Sequence, residues 1–253
     1  MSLTFRQKEI LASVRRSGRV AVEELAEMLS VTPQTIRRDL NHLCDEGHLT
    51  RVHGGAVLQS GVANTAYEAR KSIAREAKRA IGRHCAEKIP DGASLFINIG
   101  TTTEAVAQAL GQRRDILVIT NNLNVANIMA ANPDCGVMVT GGMLRRTDGG
   151  LVGESTLDMV QQFKADYAVI GVSAIDEDGS LLDFDYREVR VAQAIIANAR
   201  KVFLVADATK LDRSAPVRIG HMRDIDAFFT DQPLPGPLAQ ICAQHGVDVH
   251  IVA

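Results

Sequence analysis

The chain has 253 residues, 46% of them apolar and 23% charged, with a formal net charge of −2. This fits one large or two smaller globular domains and excludes a globally basic nucleic-acid binder, though not a local basic patch. The four cysteines contain no C-x-x-C pair, which argues against a disulfide framework or zinc site, and a polar N-terminus without long apolar runs points to a soluble cytoplasmic protein with no membrane span.

Residues 4–50 carry helical periodicity. Ile10, Leu11 and Val14 share one face of a first helix; Leu25, Met28 and Leu29 share a face of a second, which begins near Val22. In SVTPQTIRRDLNHLCDEG, Thr32 is placed to cap a third helix, with Pro33 at its first position, where a missing N–H costs nothing. Ile36, Leu40, Leu43 and Cys44 form its apolar stripe, while Gln34, Arg37, Arg38 and Asn41 recur on another face. Those side chains are the types that pair bidentately with guanine and adenine edges. HLTRVHGGAVL then supplies two short β segments around a Gly-Gly turn.

Three helices and a hairpin make a winged helix-turn-helix over residues 1–58, with Thr32, Gln34, Thr35, Arg37, Arg38, Asn41, Arg51, His53 and Gly54 as candidate DNA contacts. Periodicity alone fits an ordinary three-helix bundle with solvated arginines equally well. Charge does not decide between them, because Arg37, Arg38 and Arg51 are balanced by Asp39, Asp45 and Glu46. Any basic surface must come from arrangement.

LQSGVANTA is small and polar, and residues 59–73 are expected to form a linker to a second domain over 74–253. That domain starts with a charged helix in KSIAREAKRAIGRHCAEKI. From residue 94 the apolar runs SLFINI, ILVIT, GVMVT, YAVIGV, VFLVA, DAFFT and VDVHIV recur, most of them separated by helix-like stretches. The predicted class is α/β, with a doubly wound, mainly parallel sheet.

INIGTTTEAVAQAL places Gly100, Thr101, Thr102 and Thr103 where a strand hands over to a helix, an arrangement that favours an anion. A threonine-capped helix start reads the same way. Company comes from other strand ends: Asn121-Asn122, Gly141-Gly142 and Asp207-x-x-Lys210. Ligands of open parallel sheets bind beyond the carboxyl ends of the strands. Dinucleotide, triphosphate, nucleophile-elbow and zincin signatures are missing. Asp183, Asp185 and Glu188 lie close in sequence but lack the ligand spacing of a hard-cation loop. No metal and no cofactor are expected.

The string SVTPQTIRRDLNHLCDEGHLTRVHGGA resembles the signature of the DeoR family of bacterial transcriptional regulators. The likeness continues through TNNLNVAN, LRRTDGGLVGESTLD and GSLLDFDYREVR to nearly the whole chain. It implies a sensor domain similar to ribose-5-phosphate isomerase. Ser173 in GVSAID stands where the isomerases carry an aspartate, and their lysine-glycine-rich run has no counterpart. The resemblance therefore implies a sensor without catalysis. Gly100 to Thr103 would hold a phosphate, and Asn121, Gly141, Gly142, Asp185, Glu188 and Lys210 the remaining wall, with glycerol 3-phosphate as the implied effector. The expected protein is an effector-relieved repressor acting on operator DNA as a dimer or tetramer. An isomerase-type enzyme with an appended DNA-binding module, a repressor of another sugar phosphate, and an activator all stay open.

Overall fold

The computed structural model describes residues 3–17, 19–52, 54–58, 67–211 and 213–252. The chain divides into two compact units, residues 1–65 and 66–253.

The first unit contains α1 (Phe5–Ser17), β1 (Arg19–Ala21), α2 (Val22–Met28), α3 (Pro33–Asp45), β2 (Leu49–Val52) and β3 (Gly55–Leu58). Ile10, Val14, Leu25, Ile36, Leu40 and Leu43 form its core. Val22, Leu25 and Ala26 are the buried face of α2, an i, i+3, i+4 set. Met28 falls off that stripe and is 50% exposed, contrary to the expected assignment. Thr32 caps α3 by accepting from the Thr35 N–H at 3.3 Å, with Pro33 in the first turn. Thr32→Ala is expected to cost about 1 kcal/mol. Chemical denaturation read through α3 amide exchange should show a lower midpoint, and an unchanged one would contradict the cap.

The wing is three-stranded, in the order β1-β3-β2. β1 was not expected, because three residues are too few to display alternation. It explains the glycine pair. Gly54 turns at φ +77°, while a Cβ on Gly55 would run into the Val20 carbonyl of β1.

The second unit opens with α4 (Tyr67–Ser72), α5 (Arg75–Glu87), β4 (Ser94–Ile97), α6 (Thr101–Ala109), β5 (Ile116–Thr120), α7 (Leu123–Met129) and β6 (Cys135–Val139). A hairpin of β7 (Met143–Arg145) and β8 (Gly150–Val152) precedes α8 (Glu154–Gln161) and β9 (Ala165–Ile170). Then come β10 (Ala174–Ile175), β11 (Ser180–Asp183), α9 (Tyr186–Ala197), β12 (Ala199–Val205), β13 (Val217–His221), β14 (Ala227–Thr230), α10 (Gly236–His245) and β15 (Asp248–Ile251).

The seven apolar runs are the strands of one parallel sheet in the order β15-β14-β12-β9-β4-β5-β6. Alternate residues of β4 serve opposite faces: Leu95 and Ile97 pack with Ile81, Val106, Leu110 and Met129, whereas Phe96 packs with Val160, Val189, Ile195 and Leu238. Strand order reverses at β4 and β9. These neighbours lead away in opposite directions, and their carboxyl ends form the crevice where such folds take ligands.

Residues 67–72 depart from the expected linker, since they form α4 within the second unit. Residues 59–66 lie outside the described residues. Ala74, at φ +51°, breaks the expected continuous helix into α4 and α5. No helix among the described residues is long and apolar enough to cross a membrane.

Candidate functional site

In the first unit, Thr32, Gln34, Arg37, Arg38 and Asn41 are exposed and Thr35 is half-buried, its hydroxyl 3.0 Å from that of Thr32. Asp39 is turned inward: it is buried, and its Oδ2 accepts from Arg6 Nε at 2.5 Å. The nearest acid in sequence is thus removed from the arginine face. Arg37 meets Glu23 at 3.4 Å, a surface pair worth little. Arg51 and Gly54 of the wing are exposed, and His53 lies outside the described residues.

In the second unit, Gly100 ends the turn after β4. The first i→i−4 bond of α6 runs from Glu104 N–H to the Gly100 carbonyl, so the N–H groups of Thr101, Thr102 and Thr103 have no helical acceptor. The three threonine side chains are not equivalent. Thr103 directs its hydroxyl at the carbonyls of Asn98 (2.9 Å) and Gly100 (2.8 Å), which leaves only its backbone N–H to donate elsewhere. Thr102 is buried; Thr101 is half-buried, with its hydroxyl 3.5 Å from the Arg70 carbonyl. A cleft of about 590 Å³ opens beside Thr101, bordered by Lys71, Arg75, Lys78 and Glu104.

Four cations gather near this turn: Arg70, Lys78, Lys210 and Arg213. Lys78 Nζ lies 3.9 Å from Asp207 Oδ2. Burial lowers Lys210 most; repulsion from Arg213, Lys78 and Arg70 adds to it against the pull of Asp207, bringing it to about 8. Burial also lowers Lys78 and Arg213, again with help from neighbouring cations. Positive charge is therefore concentrated where water is scarce, a setting that an anion relieves.

Carboxylates form the opposite pole, organised by Arg145. Its guanidinium meets Asp148 twice at 2.8 Å, Asp185 at 3.1 Å and Glu188 at 2.5 Å. Arg70 joins the two poles through Asp148 at 3.1 Å. Burial first, and Asp183 next, push Glu188 up to about 8 despite Arg145. Ser173 donates to Asp183 at 3.0 Å.

Of the expected wall residues, Asp185, Glu188 and Lys210 fall into these two poles. Asn121 instead anchors the hairpin: its Nδ2 donates to the Leu151 carbonyl at 3.1 Å, and its carbonyl accepts from Leu151 N–H at 2.7 Å. Gly141 and Gly142 follow the edge strand β6. The Gly141 carbonyl accepts from Thr156 Oγ1, and a Cβ on Gly142 would collide with that hydroxyl. Packing against α8 explains the small size of Gly142, whereas a Cβ on Gly141 would make only an ordinary contact, 3.9 Å from Ser155. Sequence reasoning missed Arg70, Lys78, Arg145 and Arg213. Each sits among other charged residues with no local signal, and only their distant partners distinguish them.

The profile of the DeoR C terminal sensor domain matches residues 73–232, and that of the DeoR-like helix-turn-helix domain matches residues 6–62. The chain is 47% identical over 251 residues to the glycerol-3-phosphate regulon repressor of Escherichia coli (strain K12), covering 99% of this chain and 100% of that one. It is 44% identical to the HTH-type transcriptional repressor CsqR of the same organism, over 92% and 89% of the two chains. Ribose 5-phosphate isomerase A from Methanocaldococcus jannaschii aligns with 55% of each chain at 14% identity, with a TM-score of 0.41. With both domain profiles matched in chain order and near-half identity from end to end, the chain belongs to the DeoR family.

Proposed function

We propose that this protein is a transcriptional repressor that grips operator DNA with α3 and the wing, and releases it when glycerol 3-phosphate or a similar small phosphorylated metabolite binds the second unit. The two-pole charge layout carries the effector half of this reading. Open N–H groups of α6, the Thr101 hydroxyl, Lys78 and Lys210 suit a phosphate, while Asp185 and Glu188 suit the hydroxyls of a short polyol. The 47% identity to a protein named as the glycerol-3-phosphate regulon repressor favours that metabolite. In this reading residues 1–58 bind DNA and 74–253 sense the ligand. Reading two symmetric half-sites calls for a homodimer or larger assembly.

The reading assigns no catalysis. Sugar-phosphate isomerisation needs a base free to move a proton, and Glu188 is engaged by Arg145, as Asp183 is by Ser173. Turnover of ribose 5-phosphate to the ketose would overturn this point.

The direct test is gel retardation of an operator fragment at fixed salt, with glycerol 3-phosphate, glycerol or inorganic phosphate added. A coupling of about 1–3 kcal/mol corresponds to roughly 5–150-fold weaker DNA binding when the effector is present. Absence of retardation sinks the DNA half, and retardation insensitive to a panel of phosphorylated metabolites sinks the effector half.

Lys210 adds a pH signature. Its value of about 8 must rise when an anion binds beside it, so above that pH binding takes up a proton. Effector affinity is expected to fall roughly tenfold from about pH 7 to about pH 9, measured by calorimetry. A flat profile would remove Lys210 from the site.

A further inference from the structure

Helix α4 is the first element described after the DNA-binding unit, and packing does not hold it, because none of its residues is buried. Polar tethers hold it instead. Tyr67 Oη donates to Glu104 at 2.9 Å and accepts from Asn124 Nδ2 at 3.0 Å. Arg70 Nη2 reaches Asp148 at 3.1 Å. Lys78 Nζ reaches back from α5 to the carbonyls of Arg70 (2.5 Å) and Ile73 (2.8 Å), and Thr101 Oγ1 approaches the Arg70 carbonyl at 3.5 Å. Lys78 thus fastens the chain across the kink at Ala74, whose left-handed φ of +51° is unfavourable for a residue with a Cβ.

Two of these donors, Lys78 Nζ and Thr101 Oγ1, are the groups assigned above to an effector phosphate, and they border the open cleft beside α6. A phosphate oxygen is a charged acceptor: its bond to the Thr101 hydroxyl is roughly twice as strong as one to a neutral carbonyl. With the Lys78 ammonium, whose carbonyl bonds are already charge-assisted, it adds an ion pair. Donors that turn to it leave the Arg70 and Ile73 carbonyls unfastened, and the kink at Ala74 is then free to relax.

We propose that α4 is a latch opened by the effector: a phosphate at the start of α6 takes Lys78 and Thr101 from the α4 carbonyls and frees the segment that leads from the DNA-binding unit. The latch rests on the effector reading above and supplies its regulation. Tyr67 and Arg70 are positioning residues in this device. The α4 tethers stabilise the ligand-free state, so ligand binding must work against them.

The test is amide hydrogen exchange of residues 67–73 in the full chain, with and without glycerol 3-phosphate, alongside calorimetry on the same samples. The expected result is binding accompanied by faster exchange in 67–73. Binding with unchanged or slower exchange there overturns the latch and leaves the effector reading standing. Absence of binding overturns the effector reading, and the latch falls with it. Tyr67→Phe removes a tether without changing charge. It is expected to speed α4 exchange in the free protein and to raise glycerol 3-phosphate affinity about three- to tenfold. A merely structural role for Tyr67 predicts unchanged or lower affinity, and that result also overturns the latch.

Discussion

The Arg37→Ala/Arg38→Ala double variant is expected to bind operator DNA at least about 30-fold more weakly than the parent, because each good base contact is worth about 1–3 kcal/mol. Both residues are exposed on α3, and neither belongs to the core that Ile36, Leu40 and Leu43 form on its other side. The fold should therefore persist. Asp39, which follows them directly, is held by Arg6 and does not neutralise the face. Gel retardation at fixed salt reads the loss, and calorimetry with glycerol 3-phosphate should give the parent's affinity. The salt dependence separates the two ways an arginine can act. A lost phosphate contact flattens the logarithmic slope by about 0.9 per contact, whereas a lost base contact leaves it unchanged. If the double variant retards DNA like the parent, α3 is not the reading helix.

Arg145→Met should destabilise the second unit by about 3–5 kcal/mol, since it removes the shared partner of a buried ionic cluster and leaves its carboxylates under-compensated. Asp148, Asp185 and Glu188 all converge on this guanidinium; without it Asp148 keeps Arg70 and Asp185 keeps the exposed Arg187, so the loss falls on Glu188 most. For a domain of this size the loss corresponds to a melting temperature lower by about 6–20 °C. Its pH dependence has a definite sign. Glu188 already sits at about 8 in the folded chain, above its ordinary 4.5, so its contribution is fully present below about 4.5 and is lost as pH rises through about 8. Without Arg145 the folded value climbs further, because the cation that opposed the rise is gone. The melting deficit should be larger at about pH 8 than at about pH 5. Equal deficits would mean that Arg145 acts through packing, not charge.

Several elements were legible because their signals are local. All seven sheet strands appear as apolar runs; those buried on both faces, such as β4, β5 and β14, are nearly unbroken ones, whereas the edge strands β6 and β15 are partly exposed. The α3 start needs only Thr32 and Pro33, and its exposed face follows from helical spacing. The Gly100–Thr103 turn marks a strand-to-helix handover in any context. Other elements had no local signal. β1 is three residues long and exists through its pairing with β3. α4 looked like linker because its stability comes from Glu104, Asn124, Asp148 and Lys78.

By itself, then, the sequence determined the division into two units, the seven strands of the parallel sheet, and the presence of an arginine face and a strand-to-helix turn at Gly100–Thr103. These depend on periodicity and on caps within a few residues. Only the tertiary structure decided which charges work together. Arg145 meets Glu188 across 43 positions of sequence, and Arg70 meets Asp148 across 78. It also decided that the Thr103 hydroxyl serves the chain and that Gly142 serves packing against Thr156. Backbone conformation is biased by near neighbours, whereas the partner of a charge is whatever the fold brings within a few ångströms.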